Sequence, residues 1–391
     1  MAERVAIVGV GQSEQRSNLP DVSIPEMINI AVRAALEDAR LTMKEIEAVI
    51  TTNIQLFEGV FLPDMWGVEG LGNFMKSGFL VHSGGTTGGT ASMTAARQVS
   101  SGLFDTAISV SFAKMDEGSP QAGLRAITED AFYPTNGITG QGAATMISRV
   151  AQYRMKHSRI TEERAAKVRV KSSICASKNP NAQLRKVLSI EEVMNSRMLT
   201  WPVRLFHLCP TTSGACAIIY ASEKKAKKIT DKPVWVMCES TVHGTTTLVG
   251  GYQSPHYWGW AVSESGKRIY KKAGITDPTR EIDVFEVYDM STWNEIDWYE
   301  RLQLCAEGES WKLIDENATA LDGRIPFNPS GGVVSANTGA PSGMLRIAEA
   351  ALQIRGDAGE HQVPKDVKTA FAAAVGGHGY CVSMLLKKSL T

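Results

Sequence analysis

The chain lacks an excess of charge of either sign and lacks any long apolar run. It has 391 residues with 41 basic and 41 acidic side chains, so its formal net charge is zero. A balanced charge gives no reason to expect nucleic acid or an anionic membrane as a partner. No apolar stretch approaches the roughly 20 residues that a membrane-spanning helix needs, and the N-terminus has no signal-peptide pattern. We therefore expect a cytoplasmic protein.

Cysteine is also scarce, with six residues scattered between Cys175 and Cys381. None of them forms a Cys-x-x-Cys pair, which is the spacing that many zinc sites and redox-active sites use. We therefore predict reduced, mostly buried thiols, no metal site and no tightly bound cofactor. The 43% hydrophobic composition allows a large core and two or three domains.

The sequence pattern of the first half recurs in the second half. One motif is a helix, a polar turn, an acidic residue and an apolar strand; the other is a helix followed by a strand. The first occurs at residues 23–50 and 264–287, and the second at 90–110 and 343–375. Such a duplication predicts two similar mixed-sheet halves packed together, with a ligand where helix N-termini meet at their interface. Between the halves, a helical run over 154–174 carries basic residues, a pattern typical of a solvated face.

A glycine-rich turn opens the helix in the first half. Residues 81–91 read VHSGGTTGGTA, and the helical run that follows ends at Gly102. A turn of this kind leaves backbone N–H groups free and lets the main chain approach a ligand closely. The segment resembles the nucleophile turn of thiolases, above all of the sterol-carrier-protein type, where a cysteine stands at the bend. The flanking residues place that cysteine at Gly85.

The resemblance to these thiolases extends over essentially the whole chain. It is carried by CPTTSGACA at 209–217, EVYD at 286–289, NPSGG at 328–332 and QIRGDAG at 353–359. It implies the thiolase fold, with two duplicated βαβαβαββ halves in five αβαβα layers and an inserted loop domain. The implied bounds are 1–114 with 203–230 for the first half, 115–202 for the loop domain and 231–391 for the second half.

The loop domain of this family covers coenzyme A, which would be substrate or product here. Its basic residues would then serve the nucleotide phosphates, and Lys171 and Arg204 are our candidates because their charge is complementary. The resemblance also assigns Gly377, in the C-terminal glycine loop, to the binding of substrate or coenzyme A.

The catalytic positions of the family hold other residues in this chain. The histidine of its Glu-Val-His-Asp motif is Tyr288, and the histidine that follows its Gly-Gly pair falls at Asn337 or Thr338. The second cysteine of other thiolases falls at Ala374, and the nucleophile at Gly85. Acyl transfer through an enzyme cysteine is thereby excluded.

The replacement residues can still perform chemistry. Tyr288 offers a hydroxyl group, Asn337 could donate to a thioester oxygen, and the N–H of Gly85 keeps a second oxyanion donor. His378, within the C-terminal glycine loop, could titrate near neutral pH and act as a base. Each also has a structural alternative: Tyr288 as a core tyrosine, Asn337 as a turn residue and His378 as an ordinary loop histidine.

The resemblance implies an enzyme that cleaves or forms the Cα–Cβ bond of a bulky acyl-CoA, as the last step of a β-oxidation-like degradation of aromatic or steroid compounds. Two routes need no cysteine: retro-aldol cleavage of a β-hydroxyacyl-CoA, and direct thiolysis of a β-ketoacyl-CoA by coenzyme A. The divergent group that this chain resembles includes steroid side-chain retro-aldolases and benzoylsuccinyl-CoA thiolase. It implies a homodimer with a small zinc-ribbon and OB-fold partner subunit. A non-catalytic pseudo-thiolase that binds acyl-CoA or holds a partner is the alternative.

Overall fold

The first half of the chain forms five strands with helices on both sides. The computed structural model describes residues 3–119, 143–244, 257–376 and 379–390. The strands are β1 (Val5–Gln12), β2 (Ala48–Thr52), β3 (Ser77–Leu80), β4 (Thr106–Ala113) and, later in the chain, β7 (Gly214–Ser222). The helices are α1 (Ile24–Ala39), α2 (Gln55–Glu58), α3 (Pro63–Trp66), α4 (Val68–Leu71) and α5 (Thr87–Ser100).

The segment before β7 is mainly helical. It contains α6 (Ala143–His157), α7 (Glu162–Lys178), α8 (Ile190–Asn195) and the short hairpin of β5 (Met198–Thr200) with β6 (Val203–Arg204). The single helical run predicted over 154–174 is wrong, because two helices meet there. Arg159 adopts a left-handed backbone with φ 51°, and the Thr161 side chain caps α7 by accepting a bond from the Arg164 N–H.

The second half repeats the first, except that no strand within the described residues corresponds to β3. After α9 (Glu223–Ile229) come β8 (Val234–Val242), α10 (Tyr257–Ala273), α11 (Pro278–Glu281), β9 (Val284–Val287), α12 (Thr292–Arg301) and α13 (Ser310–Asp315). The chain ends with α14 (Ala340–Arg355), β10 (Thr369–Gly376) and β11 (Tyr380–Lys387). None of the helices in the described ranges is both long and apolar enough to span a membrane.

The strand pairings prove the duplication. The nine long strands follow the order β3-β2-β4-β7-β1-β8-β11-β10-β9. In the first half β2 runs parallel to β4, which pairs antiparallel with β7, which pairs antiparallel with β1. In the second half β9, β10, β11 and β8 repeat the same relations in the same order. The halves join where β1 pairs with β8 over only two residue pairs.

Five layers follow from how the helices cover these strands. One core cluster contains the inward side chains of both halves together with the buried residues of α5 and α14, which therefore form the central layer. A second cluster joins the outer face of the first half to α1. A third joins the outer face of the second half to α10 and α12. The predicted arrangement of two duplicated halves in five αβαβα layers is confirmed.

The helices before β7 share the core of the second half. Buried side chains of α6 and α7, including Ile147 and Val168, belong to the same cluster as Phe285 and Trp298. The predicted solvated basic face is wrong in part, because Arg154 and Arg169 are both buried. Arg154 is neutralised by ion pairs to Asp297 and Glu300 of α12. The domain boundaries at 114, 202 and 230 stay a prediction.

Candidate active site

The glycine turn forms the N-terminal end of the central helix α5. Residues Gly84–Thr86 make one turn of 3₁₀ helix that runs into α5, and Gly84 has φ 60°, which glycine adopts without strain. The Ser83 hydroxyl lies 2.6 Å from the Thr90 hydroxyl, and the Ser83 N–H donates to Thr87 Oγ1 at 2.7 Å. These side-chain bonds hold the turn in place, while the backbone of Gly85 stays partly exposed.

The second half approaches this turn through small residues. A Cβ built on Gly376, the last residue of β10, would lie 2.5 Å from the Cα of Gly85. A Cβ on Gly343 of α14 would lie 2.5 Å from the Cβ of Ala374 and 3.2 Å from the backbone nitrogen of Gly89. The first turns of α5 and α14 therefore meet beside the carboxyl end of β10. The predicted meeting of helix N-termini at the interface is confirmed, and Ala374 contributes to the packing there.

Tyr288 follows β9 at the same end of the sheet. Its backbone N–H donates to the Ala373 carbonyl of β10 at 2.9 Å, and its side chain is 8% exposed. Burial, followed by the nearby Cys209 and Asp289, raises the pKa of the Tyr288 phenol. The phenol is therefore neutral in the physiological range and can donate a hydrogen bond. Its hydroxyl donates to Asn337 Oδ1 at 3.3 Å.

Asn337, rather than Thr338, is the residue that reaches Tyr288. Asn337 is partly exposed, whereas Thr338 is buried, with its hydroxyl 3.2 Å from the Ser342 hydroxyl. The Asn337 side-chain oxygen also accepts from the Gly339 N–H at 3.2 Å and from the Ser342 hydroxyl at 3.0 Å. The backbone N–H of Gly339 can only donate, so the atom that faces it and Tyr288 is the oxygen, and the amide nitrogen points the other way.

Cys209 was not among the site residues predicted from the sequence. The Asn337 amide nitrogen donates to the Cys209 sulfur at 3.1 Å, and Cys209 is partly exposed. Burial raises the pKa of the Cys209 thiol to about 12, so the sulfur is uncharged. The motif CPTTSGACA contained this residue, but no local pattern linked it to a residue 128 positions away.

His243 was also missed. It is an exposed imidazole at the end of β8, and its ring stacks on Tyr380 with centroids 3.8 Å apart. The neighbouring Gly244 N–H donates to the Gly379 carbonyl at 3.0 Å, which ties this strand end to the glycine loop before β11. The two loop residues named from the sequence, Gly377 and His378, lie outside the described residues.

The two predicted phosphate-binding cations already have carboxylate partners. The Lys171 ammonium forms an ion pair with the buried Glu295 and donates to the Phe327 carbonyl at 2.9 Å. The Arg204 guanidinium donates to Glu162 at 3.2 Å and to the Ser196 carbonyl at 3.3 Å. Nothing in these contacts brings either cation to Tyr288 or Gly85. Within the described ranges, no three His, Cys, Asp or Glu side chains are grouped to hold a metal ion.

Comparison with known proteins places this geometry in one class. Residues 252–387 match the model of the thiolase C-terminal domain-like family. The chain is 30% identical over 391 residues to an acetyl-CoA acetyltransferase of Methanothermobacter thermautotrophicus, covering 96% of this chain and 97% of that one. Bovine sterol carrier protein 2 is 28% identical over 99% of this chain and 73% of its own length. These likenesses, with the duplicated five-layer fold, define a thiolase-like protein.

The chain belongs to the thiolase superfamily. Within it, the chain is a thiolase-like subunit of the sterol-carrier-protein type. The benzoylsuccinyl-CoA thiolase subunit BbsB of Thauera aromatica is 29% identical over 76% of each chain. The solved structure of an Ltp2-ChsH2(DUF35) aldolase covers 99% of this chain with a TM-score of 0.83 at 22% identity. Human mitochondrial 3-ketoacyl-CoA thiolase has the same fold, with a TM-score of 0.75 at 14% identity. The proteins that this chain resembles are thus named as an acetyltransferase, a sterol carrier protein, thiolases and an aldolase.

Proposed function

We propose that this chain is the catalytic subunit of an aldolase that cleaves the Cα–Cβ bond of a bulky β-hydroxyacyl-CoA without a covalent intermediate. The observation that carries the proposal is the turn at Gly85. It is a 3₁₀ turn at the N-terminus of α5, in the segment that resembles a thiolase nucleophile turn, and glycine stands where the resemblance predicts the sulfur. A retro-aldol cleavage requires no acyl acceptor, neither an enzyme cysteine nor free coenzyme A. It is therefore the reaction that this site could perform without a second substrate.

In the proposed step, a base removes the proton of the β-hydroxyl group. The Cα–Cβ bond then breaks, its electron pair moves to Cα, and an aldehyde or ketone leaves. The thioester enolate that remains carries charge on its oxygen, where the Gly85 N–H would donate. The neutral Tyr288 phenol would donate there as well, once its single hydrogen turns from Asn337 to the enolate oxygen. Protonation of Cα yields the shortened acyl-CoA. His378 remains our prediction for the base.

Asn337 has a supporting part in this proposal. Its oxygen already accepts from Tyr288, and its nitrogen donates one hydrogen to Cys209. The second hydrogen of the amide nitrogen is the one that could reach the substrate, as the sequence analysis expected for an oxyanion donor. Contact of coenzyme A with Lys171, Arg204 and Gly377 also remains a prediction.

A product assay on the purified chain, with and without a co-purifying partner, tests the function. It offers a β-hydroxyacyl-CoA and a β-ketoacyl-CoA, each with a bulky aromatic β-substituent. Release of aldehyde or ketone without added coenzyme A is the expected result. Cleavage of the keto substrate alone, and only with free coenzyme A, would replace the aldolase by a cysteine-independent thiolase. If neither substrate is cleaved although coenzyme A binds, the result would favour the non-catalytic pseudo-thiolase.

Removal of the Tyr288 hydroxyl tests the site. Tyr288→Phe should lower kcat about a hundredfold, the usual cost of one oxyanion donor, because the ring and its packing remain. Tyr270→Phe is the matched control, since Tyr270 is also buried and donates its hydroxyl to the Leu302 carbonyl at 2.9 Å in the outer layer. It should keep the wild-type kcat. Likewise His378→Ala should lose activity that His157→Ala keeps, since His157 is exposed at the end of α6.

We further propose that the chain forms a homodimer through the edge of its first half. β3 is the end strand of the sheet and pairs with β2 on one side only within the described residues. Phe79 of β3 is 46% exposed, and the chain just before β3 carries the exposed apolar side chains of Phe74 and Met75, the latter at 89% exposure. Phe61 and Trp66, earlier in the same segment, are each 72% exposed. An exposed apolar surface beside an open strand edge is typical of an interface.

Light scattering of the purified chain tests the homodimer. Phe74→Glu with Met75→Lys should shift the mass from two chains to one, because charges then replace the apolar contact. Leu103→Glu is the control, since Leu103 is 68% exposed in the loop between α5 and β4. A wild-type chain that is monomeric at micromolar concentration would contradict the proposal.

We also propose a small zinc-ribbon and OB-fold partner subunit, by analogy with subunit BbsB and the Ltp2-ChsH2(DUF35) aldolase.

A further inference from the structure

Cys209 lies where two segments of the candidate site meet. Its backbone N–H donates to the Met290 carbonyl at 3.1 Å, two residues after Tyr288. Three residues later, the Thr212 N–H donates to the Asn337 carbonyl at 3.0 Å, and the Thr212 hydroxyl accepts from the Asn337 N–H at 2.9 Å. Residues 209–212 therefore connect the end of β9 to the loop before α14.

The Cys209 side chain adds a specific contact to this connection. The orientation of the Asn337 amide is determined by Gly339, whose N–H requires an oxygen opposite it. The amide nitrogen then faces the Cys209 sulfur at 3.1 Å, and the sulfur accepts. Rotation of the amide by half a turn would place its nitrogen against the Gly339 N–H and end the bond from Tyr288. The sulfur thus helps to maintain the orientation in which Tyr288 is bound.

We propose that Cys209 is a positioning residue for the reaction: its sulfur holds the Asn337 amide, whose oxygen keeps the Tyr288 hydroxyl in place until the enolate accepts its single hydrogen. The inference rests on the proposed function, because the groups that it positions are those proposed to bind the enolate. Cys209 does not act as a nucleophile in this account, and it acts on the substrate only through Asn337.

The uncharged state of the thiol is consistent with this role. With its pKa raised to about 12, the Cys209 thiol is protonated across the range in which the enzyme would be assayed. Cys209 therefore contributes no ionisation to a pH–rate profile between pH 6 and 9. A nucleophilic or basic cysteine would contribute one.

A double-mutant cycle in kcat tests the inference. Cys209→Ala should lower kcat about tenfold with KM nearly unchanged, because Asn337 loses the partner of its nitrogen. Cys209→Ser should retain most of the activity, since a hydroxyl oxygen also accepts a hydrogen bond. The variant with both Cys209→Ala and Asn337→Ala should be no slower than Asn337→Ala alone. Cys238→Ala, which removes another partly buried thiol, should leave kcat unchanged.

Three outcomes would overturn the inference. Multiplicative losses in the double variant would show that Cys209 acts independently of Asn337. A Cys209→Ser variant as slow as Cys209→Ala would show that an acceptor at this position is not what matters. A pH–rate profile that changes between the wild type and Cys209→Ser would show that the thiol itself titrates in the reaction.

The proposed function can fail separately. If the wild type cleaves neither substrate, the aldolase is refuted. The wild type, Cys209→Ala, Asn337→Ala and the double variant are then compared by urea unfolding. Additive shifts of the unfolding midpoint would then refute the contact between Cys209 and Asn337 as well. Non-additive shifts would show that the sulfur holds the amide in a protein without aldolase activity, and the catalytic part of the inference would be refuted.

Discussion

Burial determines what several polar side chains near the site can do. The Tyr288 phenol and the Cys209 thiol both have raised pKa values and are neutral, so they take part as hydrogen-bonding groups. Glu58, at the end of α2, differs because burial raises its pKa only to about 7. Its carboxylate accepts from the Lys114 N–H at 2.7 Å and from the Asn53 amide at 3.2 Å. Glu58 therefore titrates in the neutral range.

Glu58 should make the protein less stable as pH rises. Its pKa is higher in the folded chain than the ordinary value of 4.5, so the folded state binds the proton more tightly. Between about pH 4.5 and 7 the free energy of unfolding should therefore fall, by roughly 3 kcal/mol in total. Glu58→Gln should remove this part of the pH dependence in urea unfolding at pH 5 and pH 8.

The exposed Glu69→Gln is the control for Glu58 and should leave the pH dependence of unfolding unchanged. If Glu58→Gln unfolds with the same pH dependence as the wild type, Glu58 ionises in the folded chain as it does in water. The variant keeps the size of the side chain, so a change in packing is not expected to confuse the comparison.

Site residues that belong to a motif could be named from the sequence, whereas their contacts could not. Gly85, Tyr288 and Asn337 were identified because each stands in a recognisable segment. The bond from Asn337 to Cys209 could not be foreseen, because the two residues are 128 positions apart and meet only in the folded chain. For the same reason, Lys171 was expected to face phosphate, although its charge is neutralised by Glu295.

The helices of the central layer depend on glycine at their crossing. α5 and α14 approach closely because Gly88, Gly89 and Gly343 present no side chain where the two helices meet β10. A Cβ on Gly88 would lie 2.4 Å from the Ala340 carbonyl oxygen. The relative position of the two helix N-termini, and with it the geometry at Gly85, follows from this close packing.

Gly343→Ala should therefore destabilise the protein. Alanine favours a helix by about 1 kcal/mol over glycine in an open position, but its Cβ would collide here with Ala374. We expect a net loss of about 1–3 kcal/mol in the free energy of unfolding, as for other overpacked cores. Adding Ala374→Gly should recover part of that loss, as measured by urea unfolding.

Gly266→Ala in α10 is the matched control. Its Cβ would meet the end of the flexible Leu302 side chain at 3.0 Å, which can move, so this variant should be neutral or slightly stabilising. If Gly343→Ala has the same free energy of unfolding as Gly266→Ala, the central helices can move apart at little cost in stability.

The elements that carry the duplication could be predicted from the sequence, with errors mainly at their ends, whereas the run over 154–174 proved to be two helices. The helix expected over 90–102 begins at Thr87, and the helix expected over 343–356 begins at Ala340. Both first turns are rich in Gly, Pro, Ser or Thr, whose low helix propensity hid them. The strand pattern was clearer, because the buried strands are continuous apolar runs.

At the scale of the molecule, a buried ionic cluster joins the helices before β7 to the second half. Arg154 of α6 is fully buried and donates to Asp297 and Glu300 of α12, with Glu307 at 3.2 Å. These carboxylates raise the pKa of the guanidinium against the effect of its burial. The cluster therefore links the two parts alongside the core that they share.

Arg154→Met should lower the free energy of unfolding by about 3–5 kcal/mol. Two carboxylates, Asp297 and Glu300, would then remain buried close together without their main cation. Calorimetry should still show one transition at a lower temperature, because α6 shares the core of the second half. Arg280→Ala is the control: this arginine is 86% exposed, and its ion pair to Asp277 should contribute little. Two separate transitions would contradict the shared core.

The position of β1 has a consequence for the synthesis of the chain. β1 leaves the ribosome long before its partner strands, since Val5 pairs with Ser222 and Ile7 pairs with Val234. At roughly 5–20 residues per second, its partners emerge on the order of ten seconds or more later. During that time an apolar strand has no hydrogen-bonding partner from its own sheet neighbours, and such edges aggregate readily. Protection of the nascent β1 by a chaperone should therefore raise the yield of folded protein in a cell.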